Sequence, residues 1–550
     1  MSEQADYIIV GAGAAGSVLA DRLSADGRST VLVLESGGSD LDPMIAIPKG
    51  FFFLSSGNRH SFMYDTEPTG PEHVRERWQR GRVDGGSTSI NGLQYERGNR
   101  PYWDALERSG LEGWGWNTIL PLFLSLENHE LGASPERGAG GPLDIRVTRE
   151  PDELTEAMFA ALEDYGLPRV PDINAAEGPR AGYLPNTVRR GRRRSAATAF
   201  LDPARRRPNV AYLRHAHVST VRFDGRRAVG VQARTRGVLR DYRAAREVII
   251  CAGGIETPQL LERSGIGAGE VLARIGVAPI VENPHVGEHL IEQRHIVYQA
   301  HIDRRLGVNH RLSSRFRQLL AGAGYLLTRR GVIAGGVYDI GGFARLGPGY
   351  LGPSRLDPAG LDPASTDPAS TDPDTFVMMN PLSMDLASPT PAVSKRPGFR
   401  LGAFLLSPET EGSLHSGGAQ PDAAPVIEPR YLEAEWERET TRRMIEAARD
   451  IASRHPLAEL FVEEDAPGAD VVTTEQAVAH AWANRALSHA VGTARMAADG
   501  AGVVDATLRV TGIEGLRIAD TSVLPKQPGN TMAPTYGLAA RAAELILADR

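Results

Sequence analysis

Four positions near the N-terminus have the types and spacing to hold a nucleotide. Gly11, Gly13 and Gly16 stand in the run Gly11-Ala-Gly-Ala-Ala-Gly16, with Ala14 and Ala15 between the last two. The first glycine permits a tight turn, the second lets the backbone approach a pyrophosphate, and the third lets a helix pack closely on a strand. Glu35 follows about 20 residues on. Its carboxylate can accept hydrogen bonds from both hydroxyls of a ribose, and an acid there argues against a 2′-phosphate and so against NADP. The glycines alone do not separate FAD from NAD. Near the other end of the chain lies a candidate base. Of 14 histidines, most are expected on the surface or as satisfied core residues. His489 stands apart because it sits in the loop Ser488-His-Ala-Val-Gly-Thr493 and not on a periodic face. Histidine changes charge near neutral pH, which suits a general base.

These residues need elements to hold them. Asp6–Val10 is a short apolar run that ends at the first glycine, Ser17 to Ser24 has helical spacing through Val18, Leu19 and Leu23, and Thr30–Leu34 is a second apolar run ending at Glu35. Strand, glycine turn, helix, strand and acid form the context a dinucleotide motif requires, with the helix N-terminus offering free N–H groups to the pyrophosphate. Arg246–Cys251 reads as a further buried strand, and 203–248 holds short strand-like runs such as Ala211–Leu213 and Ala228–Val231. Ala539–Leu547 reads as helix, with its start expected near Thr535. The stretch Gly347–Asp374 repeats Leu-Asp-Pro-Ala and Ser-Thr-Asp-Pro. It reads as a surface excursion, with a lid over an active-site entrance as the alternative.

Composition narrows the classes. The 550 residues carry a net charge of −7, which argues against a protein built around nucleic acid or an anionic membrane. The one dense basic run, Arg189-Arg-Gly-Arg-Arg-Arg194, lacks interleaved aromatics and reads as a solvated structural segment. A single cysteine, Cys251, excludes an internal disulfide and any multi-cysteine metal site. No run of about 18 apolar residues suggests a membrane span. With a polar, acidic start and no secretory pattern, the expectation is a cytoplasmic protein, monomer or homodimer, with no metal.

Further motifs are specific. Gln79-Arg-Gly-Arg-Val-Asp-Gly-Gly-Ser-Thr-Ser-Ile-Asn-Gly92, Cys251-Ala-Gly-Gly-Ile-Glu-Thr-Pro through Gly267, Ser488-His-Ala-Val-Gly-Thr-Ala-Arg-Met496, and Gly515 through Pro528-Gly-Asn-Thr-Met-Ala-Pro-Thr535 resemble, in order, the signatures of the glucose–methanol–choline (GMC) flavin oxidoreductases. The resemblance implies an α/β (overall α+β) protein, a Rossmann-like FAD domain interleaved with a substrate domain whose antiparallel sheet is covered by helices. The implied division is 1–155, 206–297 and 478–550 for FAD binding and 156–205 and 298–477 for substrate, with 347–374 as an insertion. It also implies the site. His489 and Asn530 would be the catalytic pair, base and alkoxide donor. Beside the glycines, Ala14, Ala15 and Glu35, the FAD contacts would be Arg82, Gly86, Ser87, Asn91, Gly92, Val218, Ala252, Asp520, Thr531 and Met532. Some family members attach FAD through a histidine near the first signature. Ile90 stands there, so the flavin is expected to be non-covalent.

Three departures from the family pattern stand out. Asp84 replaces an apolar residue and could place a carboxylate near the cofactor. Gly254 replaces alanine or a small polar residue. His289, Glu292 and Gln293 depart from a Val-Gly-x-Asn-Leu-x-Asp-His outline. None is expected to touch His489 or Asn530. The resemblance is strongest to bacterial choline-dehydrogenase-like members, including aryl and furfuryl alcohol oxidases such as hydroxymethylfurfural oxidase. It implies FAD-dependent oxidation of a primary alcohol of aryl or furfuryl type to the aldehyde, with oxygen or another electron acceptor. The alternatives are an FAD-containing hydroxynitrile lyase, or a dehydrogenase of an aliphatic or amino alcohol such as choline. Leu487 and Ser488 are placed to shape the pocket.

Overall fold

The computed structural model describes residues 4–55, 57–147, 152–347, 372–388 and 391–550. The chain begins β1 (Gln4–Val10), α1 (Ala14–Ser24) and β2 (Val31–Leu34). It returns to the same sheet with β3 (Val210–Leu213), β4 (Ala216–Asp224), β5 (Arg227–Thr235) and β6 (Val238–Ile250). α2 (Gly253–Arg263), β7 (Leu516–Ile518) and α3 (Met532–Ala548) complete this unit. Strands β3, β2, β1, β6 and β7 lie side by side and parallel. All four residues of β2 are buried, as expected of a parallel strand covered on both faces. The 13-residue β6 does double duty: its first half pairs antiparallel with β5, which pairs with β4, while 243–250 pair parallel with β1 and the last three residues also with β7. Val18, Leu19 and Leu23 of α1 share one core with Leu538, Ala539 and Ala542 of α3. That helix begins at Met532, one turn earlier than its sequence periodicity predicts.

A second sheet is antiparallel throughout, in the order Phe461–Ala466, His295–Ile302, Gly398–Leu405, Thr375–Asn380, Ile340–Ala344, Arg180–Tyr183. Its side chains alternate with the period of two that a strand imposes. Val377, Met379, Leu401 and Ala403 face the helices Glu153–Tyr165, Glu435–Ala452 and Thr474–Ala483. Phe376, Met378 and Phe404 face the opposite way, with Phe343, toward Tyr338 and Leu487. One face thus builds a core and the other a wall.

The expected excursion and its lid reading fall largely on 348–371, outside the described residues. Its flanks are adjacent antiparallel strands, and at its base Asp374 accepts hydrogen bonds from the amides of Leu346 (2.9 Å) and Gly347 (2.8 Å). The basic run is less solvated than its composition suggests. Arg193 is buried, donating to the carbonyls of Ile45, Thr88 and Asn91. No helix among the described residues is long and apolar enough to cross a membrane.

Candidate active site

A channel runs along the crevice outside the carboxyl ends of β1, β2 and β6, where open α/β sheets bind ligands. Gly11, Gly13, Ala14, Ala15 and Glu35 line one stretch of it, with Val218. Gly86, Ser87, Ala252 and Asp520 line it further, and His489, Thr531 and Met532 close its far part. The three motif glycines differ in what they permit. Gly11 has φ of +99°, and a Cβ there would stand 2.5 Å from the Cys251 carbonyl oxygen. A Cβ on Gly16 would meet the Gly11 carbonyl oxygen at 1.9 Å. Gly13 faces open space, with nothing within 4 Å of its Cβ position. The first two glycines serve the fold and Gly13 leaves the channel clear, beside a helix N-terminus that favours anions.

Glu35 is buried at the end of β2. Its Oε2 accepts from the Ala12 amide (2.9 Å) and its Oε1 from the Gly37 amide (2.7 Å). Burial pushes its pKa up to about 7 against those two donors, and ribose hydroxyls arriving there would favour the ionised form. Asp520 reaches the site through its neighbours. Its Oδ2 accepts from the Gly253 amide at 2.8 Å and the Thr257 hydroxyl at 2.7 Å, and its Oδ1 from the Ser522 amide at 2.9 Å and hydroxyl at 2.6 Å.

Several sequence expectations need correction. Arg82 lies outside the channel, exposed, with its guanidinium 4.7 Å from the centre of the Phe62 ring. Asn91 and Gly92 line a second, wider cavity instead. Asp84 does not present a bare carboxylate to the channel. It is buried against Tyr212 (2.5 Å), Arg214 (2.5 Å) and Arg205 (3.5 Å), so its charge is compensated at the β3 end. Gly254 is required by packing: a Cβ there would come within 2.6 Å of the Ala490 carbonyl oxygen. The first turn of α2 therefore abuts the histidine loop.

The largest correction concerns Glu292 and Gln293, which hold His489 directly. Glu292 Oε1 accepts from the His489 backbone amide at 2.8 Å, and its Oε2 is 3.1 Å from Arg80. Gln293 Nε2 donates to the carbonyls of Leu405 (2.7 Å) and Leu406 (3.2 Å). Carbonyls only accept, so the Gln293 amide is fixed with Oε1 toward the imidazole, 2.7 Å from Nδ1. Nδ1 must then carry the proton, which leaves the Nε2 lone pair for chemistry. Burial, with the positive field of Arg80 and of His295, lowers the His489 pKa to about 3. The imidazole is neutral at neutral pH. No sequence signal marked this pair, because the two residues lie 196 positions apart and Gln293 departs from the pattern that would have flagged it.

Asn530 precedes α3. Its Oδ1 accepts from the Met532 amide at 3.2 Å, and its Nδ2 points to Gln94 Oε1 at 3.3 Å. Its carbonyl oxygen thus steadies the first residue of α3, while its amide nitrogen is the donor, toward Gln94. His489 and Asn530 both line the wider cavity, about 1500 Å³, with Phe404, Tyr338, Met378, Ile90 and Leu487 among its walls. The Phe404 and His489 rings meet edge to face at 6.2 Å. Ser488, with φ of +70°, turns the loop so that 489 reaches both channel and cavity.

Comparison with known proteins agrees with this architecture. The chain is 32% identical to an alcohol dehydrogenase [acceptor] of Pseudomonas putida, over 98% of this chain and 95% of that one. It is 33% identical to an oxygen-dependent choline dehydrogenase of Vibrio vulnificus, covering 100% and 95%. Among solved structures, pyridoxine 4-oxidase from Mesorbium loti superposes with a TM-score of 0.83 at 28% identity, covering 98% of each chain. Models of the GMC oxidoreductase family match residues 5–297 and 408–539. With a dinucleotide channel meeting a cavity at His489, and with both family models matched, the chain belongs to the GMC oxidoreductases, flavoenzymes that act on alcohols.

Proposed function

We propose that the protein oxidises a primary alcohol carried on an aromatic or furan-type ring to the aldehyde, using non-covalently held FAD. The observation that carries this reading is the fixed amide of Gln293, which leaves a neutral His489 with Nε2 free in a cavity shared with Asn530. The open space before Gly13, the helix N-terminus beside it and Glu35 fit the pyrophosphate and ribose of FAD. When bound there, FAD supplies the acceptor for the hydride that leaves the alcohol carbon. Every other task falls to the chain. His489 Nε2 takes the hydroxyl proton, while the Asn530 amide donates to the oxygen on which negative charge develops. Ile90, apolar and buried, offers no atom for a covalent flavin link; acid precipitation releasing all of the flavin tests this.

The substrate class rests on the walls. Phe404, Tyr338, Met378 and Leu487 favour a flat apolar group. A quaternary ammonium group would instead need an aromatic cage with a carboxylate. Tyr431, Trp482 and Glu76 form such a set, and Arg294 already fills it: its guanidinium lies 4.3 and 4.5 Å from the two ring centres and is ion-paired to Glu76. The kinship with a pyridoxine oxidase supports a ring alcohol. The test is kcat/KM for benzylic, furfuryl and pyridine methanols against choline and linear alcohols, with the aldehyde quantified. Preference for choline by about tenfold or more would overturn the substrate class without touching the His489 chemistry. Either oxygen or another acceptor can complete the cycle, and the composition supports a cytoplasmic location.

A further inference from the structure

The helix Arg315–Thr328 carries its apolar side chains outward. Phe316, Leu319, Leu320, Leu326 and Leu327 are each 57% to 87% exposed. Only Tyr325 is buried, its hydroxyl donating to the Gly191 carbonyl at 2.9 Å. Phe316, Leu320, Ala323 and Leu327 fall at i, i+4, i+7 and i+11, one stripe of a helix. Contiguous exposed apolar surface of this kind marks an interaction site.

Charge says what the site is for. From Arg304 to Tyr338 the chain has seven arginines and no acidic residue, in a protein of net charge −7. Arg315 and Arg317 begin the helix and Arg329 and Arg330 follow it. Among the described residues, no carboxylate pairs with these four. The Gly191 turn that receives Tyr325 adds Arg190 and Arg192, both exposed. An apolar stripe flanked by arginines is the pattern of a helix lying in a bilayer interface, with the cations on anionic headgroups. A second copy of the same chain would instead bring like charges together on a two-fold contact. We propose that this helix docks the protein peripherally on an anionic phospholipid bilayer.

The placement gives docking a consequence. The segment after the helix contributes Tyr338 to the substrate cavity and hydrogen-bonds through the Ile333 carbonyl to the Lys49 amide at 3.4 Å. The short helix that follows Lys49 presents Phe53 outward, 71% exposed, while Phe51 lines the same cavity. The membrane-facing side is therefore connected to the cavity's edge, where lipophilic alcohols would concentrate.

The test is co-sedimentation of the purified FAD-loaded enzyme with vesicles of phosphatidylcholine, with and without one third phosphatidylglycerol, at low and high salt. The native protein should sediment with the anionic vesicles and be released by salt. The variant Phe316→Ser/Leu320→Ser/Leu327→Ser should lose at least about tenfold in partitioning, and Arg315→Glu/Arg317→Glu a similar factor. Both should keep native turnover of a water-soluble alcohol, which confirms folding. Absence of vesicle binding by the native protein, or binding unaffected by the triple serine variant, overturns the proposal. So does light scattering that shows a native dimer becoming a monomer in that variant, since a second copy would then own the face.

Discussion

Replacing Gln293 with glutamate should give the reaction a pH dependence that the native pair denies it. His489 sits at about 3 because it is buried and faces positive charge, so the native base stays deprotonated across the working range. A carboxylate in place of the Gln293 amide would put a negative charge roughly 4 Å from the ring. At an effective dielectric of about 20 that attraction is worth about 4 kcal/mol. At 1.36 kcal/mol per unit this is about 3 pKa units, which moves His489 from about 3 to roughly 6. The sign follows: protonated imidazole cannot accept the hydroxyl proton, so the rate falls as pH drops through about 6. The assay is the rate of anaerobic flavin reduction by a ring alcohol from about pH 5 to pH 9, with flavin content as the folding control. The native profile should be flat in its His489 limb, and Gln293→Glu should show a new acidic limb. Gln293→Leu strands the Nδ1 proton at a cost of about 1–3 kcal/mol; it should slow reduction by about 10- to 100-fold without adding a limb. A flat profile for Gln293→Glu, or native rates for Gln293→Leu, would refute the claim that Gln293 sets the tautomer.

Three other expectations follow from the geometry. Asn530→Asp keeps the acceptor for the Met532 amide but loses the donor to substrate; single-turnover kinetics should show a loss of about 10²- to 10³-fold with FAD still bound. Gly13→Val should fold, since nothing lies within 4 Å of that Cβ position, yet fail to retain FAD. Gly16→Val should not fold, because its Cβ would meet the Gly11 carbonyl oxygen at 1.9 Å; thermal melts and bound-flavin absorbance separate the two. Glu96 is buried with both carboxyl oxygens unpartnered, and burial raises its pKa to about 8. Between its unfolded value of about 4.3 and about 8, the folded state holds a proton that the unfolded chain releases. Its contribution to stability is therefore full below about pH 4 and is lost as pH rises through that window, at up to about 1.36 kcal/mol per pH unit. Urea midpoints at about pH 5 and pH 8 should differ less in Glu96→Gln than in the native protein.

What could be read from the chain was local. Asp6–Glu35 carries its strand, turn, helix and acid within 30 positions, so the glycines and Glu35 announced both their elements and their crevice. The strand Thr375–Asn380 is buried on both faces, so which of them became cavity wall depended on partners from elsewhere in the chain. The long-range pairings were invisible. Gln293 looked like a lapse from a pattern until the Leu405 and Leu406 carbonyls fixed its amide against His489. Asp84 looked like a free charge until Arg214 and Arg205 met it. Arg82 was misplaced because a motif position does not say which side of its strand end a long side chain will take. The start of α3 was set one turn late because Pro534 and Thr535 weaken helical periodicity at a helix start, where proline is well tolerated.

The most direct test of the central claim is an anaerobic visible spectrum of the purified protein and of His489→Ala, each titrated with a benzylic alcohol. The native protein should be yellow and bleach. The variant should be equally yellow and bleach slower by several orders of magnitude, about 10² to 10⁴ for loss of a general base. A protein that stays colourless after FAD is supplied, or a variant that bleaches at the native rate, would contradict the assignment of FAD-dependent alcohol oxidation with His489 as its base.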